Sequence, residues 1–241
     1  MRAAPSTAIS RGSSRPLVAL LPSPLLGAAV WQPVEAHLRE HGVDAIAVSP
    51  THTPRTPEDV VADLLEVLPA DRDLVVVPHS NAGLYVPELT RRRPVVGAIF
   101  VDAVLPPPRG SIAVAPPGLV ERLRHRVAPD GLLPVWTQWW DPAEVAGLFP
   151  SGEVQSLVER EQHRLPLSYL TASVDIPPGW DDVPAVYVAF GETYREELGD
   201  AAKRGWPVSS IAGGHLHMLV EPAAVAVDLT RLLTSLGVIG Q

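Results

Sequence analysis

The sequence predicts an α/β fold: a mostly parallel central sheet with helices on both faces and a helical segment inserted over one end. Three observations carry this. Short apolar runs rich in β-branched residues alternate with stretches of helical periodicity along most of the chain. Such alternation argues for a parallel sheet with both faces buried. One run, residues 74–77, passes through His79-Ser80-Asn81 and turns at once, via the small Ala82 and Gly83, into a helical pattern at Leu84, Tyr85, Val86 and Leu89. Finally, Ser80, Asp102, Glu192 and His215 all fall at or just after the ends of such runs, where open parallel sheets collect their chemistry.

In chain order, residues 16–21 (Pro-Leu-Val-Ala-Leu-Leu) read as a buried strand. A loop with proline and glycine follows, then a helix over 31–41 with Val34, His37 and Leu38 at helical spacing. Residues 43–48 form a second strand. Thr56-Pro57-Glu58-Asp59 is a helix start, with a Thr cap, Pro at the first position and acids in the first turn; that helix runs to 68. Strand 74–77 leads into Ser80, and strand 95–101 ends at Asp102. Further strands are expected at 183–190 and 208–211, and a terminal helix at 222–236. Residues 106–180 break the alternation. Helical patterns at 119–127, 142–148 and 153–162 lie between prolines, and the segment holds four of the six tryptophans: Trp136, Trp139, Trp140 and Trp180. This interval is read as a helical lid over the site, with residues 16–105 and 181–241 as the core. Residues 1–15, rich in Ser, Ala and Arg without an apolar centre, predict a disordered tail rather than a secretory signal.

Composition narrows the function. The 241 residues are 46% hydrophobic and carry a formal net charge of −8. That charge does not attract nucleic acid or an anionic membrane surface, and no apolar run is long enough to span a bilayer. The absence of cysteine removes disulfides, thiolate metal sites and a Cys nucleophile and agrees with a cytoplasmic location. No Gly-rich phosphate loop or metal-ligand pattern is present; His215 and His217 alone are too few for a zinc site. No cofactor or metal is expected.

The abrupt strand-to-helix turn at Ser80 is the geometry of a nucleophile elbow, in which the serine is held in a strained conformation with its hydroxyl above the sheet. Ser80 is the expected nucleophile. The loop Gly213-Gly214-His215-Leu216-His217 can deliver an imidazole to it, with His215 as general base and His217 lining the pocket or packing beneath the last helix. The acid that orients the histidine is Asp102 or Glu192. Asp102 is favoured because it is short and ends an apolar strand.

These residues together resemble the α/β-hydrolase superfamily over residues 16–236. The order Ser80, acid, His215 is similar to that superfamily's, as is the tail Gly214-His215-x-x-x-Leu219-x-x-Pro222. Leu20-Leu21-Pro22-Ser23-Pro24-Leu25-Leu26-Gly27 stands in the place of the superfamily's His-Gly loop. The resemblance implies an oxyanion hole that uses the amide of Asn81 and a second amide from that loop. Aligned without gaps, the second position is Pro24, which has no N–H; Leu25 is the substitute if the loop shifts by one residue. Losing one such donor costs about 10²–10³ in rate. The expected activity is therefore hydrolysis or transfer of an ester or thioester, carrier-protein-linked acyl donors included, with Trp136, Trp139 and Trp140 walling an apolar or aromatic acyl site. The alternative is a non-hydrolytic use of the fold in ligand binding, lyase or isomerase chemistry. Arg91-Arg92-Arg93 is read as favourable charge at a helix C-terminus, with a docking patch for an acidic carrier as the other reading.

Overall fold

The computed structural model describes residues 15–238. Apart from Arg15, the expected N-terminal tail lies outside them. Apolar runs become strands and amphipathic runs helices, largely where the periodicities place them. The order is β1 (Leu17–Leu21), α1 (Gln32–Glu40), β2 (Ala45–Ala47), α2 (Pro57–Val67), β3 (Leu74–Ser80), α3 (Val86–Arg92) and β4 (Val95–Ala103). The segment after β4 holds β5 (Gly110–Ala113), α4 (Pro117–Arg124), α5 (Pro142–Ala146), α6 (Gly152–Glu161), α7 (Leu167–Thr171) and β6 (Ser173–Ile176). The chain then returns to the main sheet with β7 (Ala185–Phe190), α8 (Arg195–Lys203), β8 (Val208–Ile211), α9 (His217–Val220) and α10 (Pro222–Ser235).

The main sheet is six-stranded in the order β2-β1-β3-β4-β7-β8, and every pairing in it is parallel. β1, β3, β4 and β7 are buried along nearly their whole length, as a sheet covered on both faces requires. α1 packs with α10, and α2 with α3. The start of α2 is a capping box: Thr56 accepts from the Asp59 amide and the Asp59 carboxylate accepts from the Thr56 amide.

Strand order decides where the site lies. The chain leaves β1 toward β2 on one side and returns to β3 on the other. The loops after β1 and β3 therefore diverge and open a crevice beyond the strand ends, as expected at a topological switch point. Ser80 ends β3 at that crevice.

Two features depart from the sequence reading. The segment between β4 and β7 is not wholly helical: β5 and β6 pair antiparallel, Gly110 with Ile176 and Ala113 with Ser173. The strands are short, partly exposed and joined by no tight turn, so no hairpin pattern marks them. The chain after Glu192 forms α8, whose polar sequence buries only Ala201 fully; with so narrow an apolar stripe it reads as solvated charge.

The elbow also depends on a close approach. A Cβ on Gly83 would lie 2.0 Å from the carbonyl oxygen of Val104, and the Val104 amide itself donates to the Ser80 carbonyl at 3.0 Å. The turn and the strand end are thus packed backbone to backbone. Gly83→Ala is expected to destabilise the fold by about 1–3 kcal/mol or more, read as a lower urea midpoint at unchanged slope. A wild-type midpoint would refute this packing.

Candidate active site

β3 ends in a residue with positive φ. Ser80 sits at φ 57°, ψ −129°, a conformation costly for an L-residue and found where surrounding structure enforces it. A 3-10 turn, Asn81–Tyr85, follows and leads into α3. The hydroxyl of Ser80 is thereby lifted off the sheet toward the loop after β8. His215 Nε2 lies 3.1 Å from Ser80 Oγ, and His215 Nδ1 lies 2.6 Å from Asp102 Oδ2. An ionised carboxylate only accepts, so Nδ1 carries the proton and Nε2 accepts the hydroxyl of Ser80. All three residues are buried, Asp102 completely.

Asp102 is placed by a bulge. His79 pairs with Val101, but Ser80 pairs with Ala103, so Asp102 is the extra residue on β4. Its φ is 42°. Such bulges re-aim a side chain beside a site. The displaced residue is secured on both sides. Its Oδ1 accepts from the Phe190 amide at 2.9 Å. The Tyr187 hydroxyl donates to the Ala103 carbonyl at 2.5 Å and accepts from the Ala103 amide at 3.1 Å. Glu192, the other carboxylate considered, is exposed and paired with Arg195 at 2.6 Å. Of the two, the structure brings Asp102 to His215, because the Gly191 turn at the end of β7 sends the following residues outward to begin α8. His217 faces the Phe190 ring, with centroids 5.5 Å apart.

Two neighbours buttress these groups. His79, fully buried, donates from Nε2 to the carbonyl of His215 at 2.9 Å and packs ring to ring with it at 4.5 Å. This fixes the backbone of the loop that carries the imidazole. The side chain of Asn81 ties the elbow to the segment above: Nδ2 donates to the Val114 carbonyl at 3.1 Å, and Oδ1 accepts from the Tyr169 hydroxyl at 2.7 Å. Tyr85 bonds Tyr169 at 2.5 Å. As first residue of its turn, Asn81 has no acceptor for its amide within that turn, which leaves it the geometry of an anion donor.

The loop after β1 answers the Pro24 question differently from the sequence reading. Leu25 lines the cavity, but its amide donates to Ser23 Oγ at 3.3 Å. A serine at the start of a turn commonly caps the N–H two residues on. Leu25 is therefore not a free second donor in this structure; its amide is satisfied within its own turn.

Above Ser80 lies a cavity of about 740 Å³, within the usual range for small-molecule sites. Trp136, Trp139 and Trp140 line it, with Val114, Leu119, Val145, Leu148 and Leu170. Trp136 also packs on His215 at 6.2 Å. Trp180 serves the core instead, against Phe100 and Trp206. Among the described residues no Lys or Arg lines the cavity, whereas Glu144, Glu197 and Tyr194 do. Burial raises the Glu197 carboxyl above its ordinary pKa. Tyr194 was not marked by any sequence pattern.

Outside this site, His52, Asp63 and Glu66 bring ligand-type atoms within 4.8 Å of one another, a grouping no sequence spacing suggested. Asp63 is already engaged there: Oδ1 accepts from Thr51 at 2.7 Å and lies 2.8 Å from His52 Nδ1. The cluster closes the loop after β2. Arg91 and Arg92 both bond Glu88, and Arg93 donates to the carbonyls of Leu65 and Leu68. The triplet is thus spent on its own helix end and neighbouring loop. Among the described residues no helix is long and apolar enough to cross a membrane.

A parallel sheet of this order with an elbow serine at its switch point defines the α/β-hydrolase fold, and the chain has that fold. Solved structures agree. The chain matches tomato methylketone synthase I (an H243A variant complexed with β-ketoheptanoate) at TM-score 0.67 and 16% identity, covering 92% of this chain and 99% of that one. It matches an extracellular α/β-hydrolase from a Paenibacillus species at TM-score 0.67 and 15% identity, over 89% and 98% of the two chains. It also matches polyneuridine aldehyde esterase at TM-score 0.63 and 19% identity, over 90% and 100%. No protein-family model and no curated protein sequence matches the chain.

His79 generates a pH prediction. Burial, and then the neighbouring His215, hold its pKa well below 6.5. The unfolded chain takes up a proton there that the folded chain refuses, so the stabilisation is present above about pH 6.5 and is lost as pH falls, at about 1.4 kcal/mol per pH unit. Denaturation midpoints measured from about pH 7.5 to about pH 5 should fall more steeply in the wild type than in His79→Gln, which retains a donor but no titrating group. Parallel curves would show that His79 does not contribute.

Proposed function

We propose that this chain is a serine-dependent acyl-processing enzyme that hydrolyses or transfers an ester or thioester with an apolar or aromatic acyl group. The observation that carries the reading is the continuous hydrogen-bond chain from Ser80 through His215 to buried Asp102 at the floor of a tryptophan-walled cavity. In this reading Ser80 Oγ attacks the acyl carbon while His215 Nε2 takes its proton. Asp102 holds the tautomer and offsets the imidazolium charge. The amide of Asn81 donates to the developing oxyanion. His215 returns the proton to the leaving group, and water or another acceptor then attacks the acyl-serine with the same residues in reverse.

The loop after β1 bears on the rate, and the cavity wall on which second half-reaction dominates. Pro24 has no N–H, and the amide of Leu25 is engaged by Ser23, so one amide faces the oxyanion where two are usual. A missing oxyanion donor slows every acyl-transfer step alike, and it is the tryptophan-lined apolar wall that favours an organic acceptor over water. Free thioesters and carrier-protein-linked acyl groups are both donors this chemistry accepts. The same loop is also what favours a second reading, in which the cavity binds a ligand or works by lyase or isomerase chemistry. Neighbours of this fold span such a range: one is a methylketone synthase, others are esterases.

Intact-mass spectrometry after fluorophosphonate treatment decides between the two. One adduct per chain is expected in the wild type, and none in Ser80→Ala or His215→Ala. Asp102→Asn should fold and bind but lose about 10³–10⁴-fold in kcat on any ester the wild type turns over. Absence of an adduct in the wild type would replace the acyl-serine reading with the second one.

A further inference from the structure

The reaction as assigned leaves one polar group at the nucleophile without a role. Tyr194 lies in the turn between β7 and α8, and its hydroxyl is 3.4 Å from Ser80 Oγ. Its ring packs on that of His215, with centroids 5.6 Å apart at a tilt of 35°, and both side chains line the cavity. The Ser80 proton is directed at His215 Nε2, so in the Tyr194–Ser80 contact the phenol is the donor. The separation is longer than the ordinary range for O–H···O bonds. The bond is weak, and a better acceptor arriving beside Ser80 would displace it. Burial pushes the phenol up to about 12, so it remains a donor at neutral pH.

Strand order says which side of the reacting carbon Tyr194 serves. The loop after β1, with Pro24 and Leu25, flanks β3 on one side; β4, β7 and β8 lie on the other. The oxyanion belongs between the Asn81 amide and the β1 loop. Tyr194 follows β7 and His215 follows β8, so they stand together across the crevice. His215 Nε2 must reach the departing atom to protonate it, and that atom therefore passes within reach of the hydroxyl packed against the same imidazole.

Resting on the acyl-serine reading, we propose that Tyr194 is a catalytic residue for the leaving group: its hydroxyl binds the departing heteroatom, and afterwards the acceptor atom that enters along the same path. In the first half-reaction the Ser80 Oγ–carbon bond forms and the Ser80 proton moves to His215 Nε2. The bond from the acyl carbon to the leaving heteroatom then breaks, and that heteroatom takes the proton from Nε2. The Tyr194 O–H donates to a lone pair of the same atom throughout and keeps its own proton. Such a contact is worth most where the leaving atom accumulates charge and departs poorly. The substrate class it fits is the ester of an ordinary alcohol rather than an activated ester.

The test is Tyr194→Phe, which retains the packing ring, assayed in the full chain on 4-nitrophenyl, phenyl and ethyl esters of one aromatic acid. The expected result is kcat within about 3-fold of wild type on the 4-nitrophenyl ester and a loss of about 10²-fold on the ethyl ester. An equal loss on all three esters would place Tyr194 at the oxyanion or in packing and overturn the proposal. So would no loss on any of them, or a wild type that labels at Ser80 yet turns over no alkyl ester. A wild type that does not label at Ser80 removes the acyl-serine reading itself, so the two failures are read apart.

Discussion

Two L-residues held at positive φ on adjacent strand ends are the constraint on which the rest of the site depends. Ser80 and Asp102 lie at the carboxyl ends of β3 and β4, and the register between those strands slips by one residue at this point. Without the slip Asp102 would continue the ladder and its carboxylate would alternate with the sheet faces. With it, the side chain turns toward the loop after β8. Conformations of this kind cost about 1–3 kcal/mol each, and the surroundings show what sustains them. The Phe190 amide and Tyr187 hydroxyl hold the Asp102 side, and the bare backbone of Gly83 admits Val104 on the Ser80 side. The large buried core supplies the margin against which such local costs are set.

Most of the architecture is legible in the sequence because burial on two faces leaves a strong mark. Continuous apolar runs at β1, β3, β4 and β7 allow little but central parallel strands, and the Thr56-Pro57 start of α2 is local chemistry that tertiary structure had no reason to override. The turn at Ser80 is legible from local crowding: the small Ala82 and Gly83 that follow it let strand and helix close up, and a Cβ on Gly83 would meet the Val104 carbonyl. The carboxylate beside His215 was harder to read. Asp102 and Glu192 both follow apolar strands, and only the register slip in β4 and the outward turn after Gly191 separate them, neither of which has a sequence pattern of its own.

What the sequence conceals is of two kinds. β5 and α8 bury too little to impose a period, and the alternation of β6, with Val174 and Ile176 in and Ser173 and Asp175 out, spans only four residues. Hydrogen bonds between distant loops impose none either. The amide of Leu25 could be counted as available from the chain alone, but its capture by Ser23 depends on the path of a turn. Tyr187 and Tyr169 have apolar residues beside them in sequence and the look of core filling, whereas Tyr194 stands among the charged and polar residues Glu192, Thr193, Arg195 and Glu196, where nothing marks it as buried. In the fold, one clamps the bulge, one bonds the elbow asparagine and one reaches the serine hydroxyl.

The tether from Asn81 has a consequence for how this cavity can change. Val114 and Tyr169 hold the side chain of Asn81, the residue whose backbone amide is the proposed oxyanion donor. A shift of either would be transmitted to that amide through two short hydrogen bonds. The stretch bearing Trp136, Trp139, Trp140, Val145 and Leu148 borders the same cavity with no hydrogen bond to Asn81. The wall is thus divided into a part that is mechanically geared to the elbow and a part that is not. Substitutions can accumulate in the second part and reshape what the cavity admits, while the first holds the elbow in register.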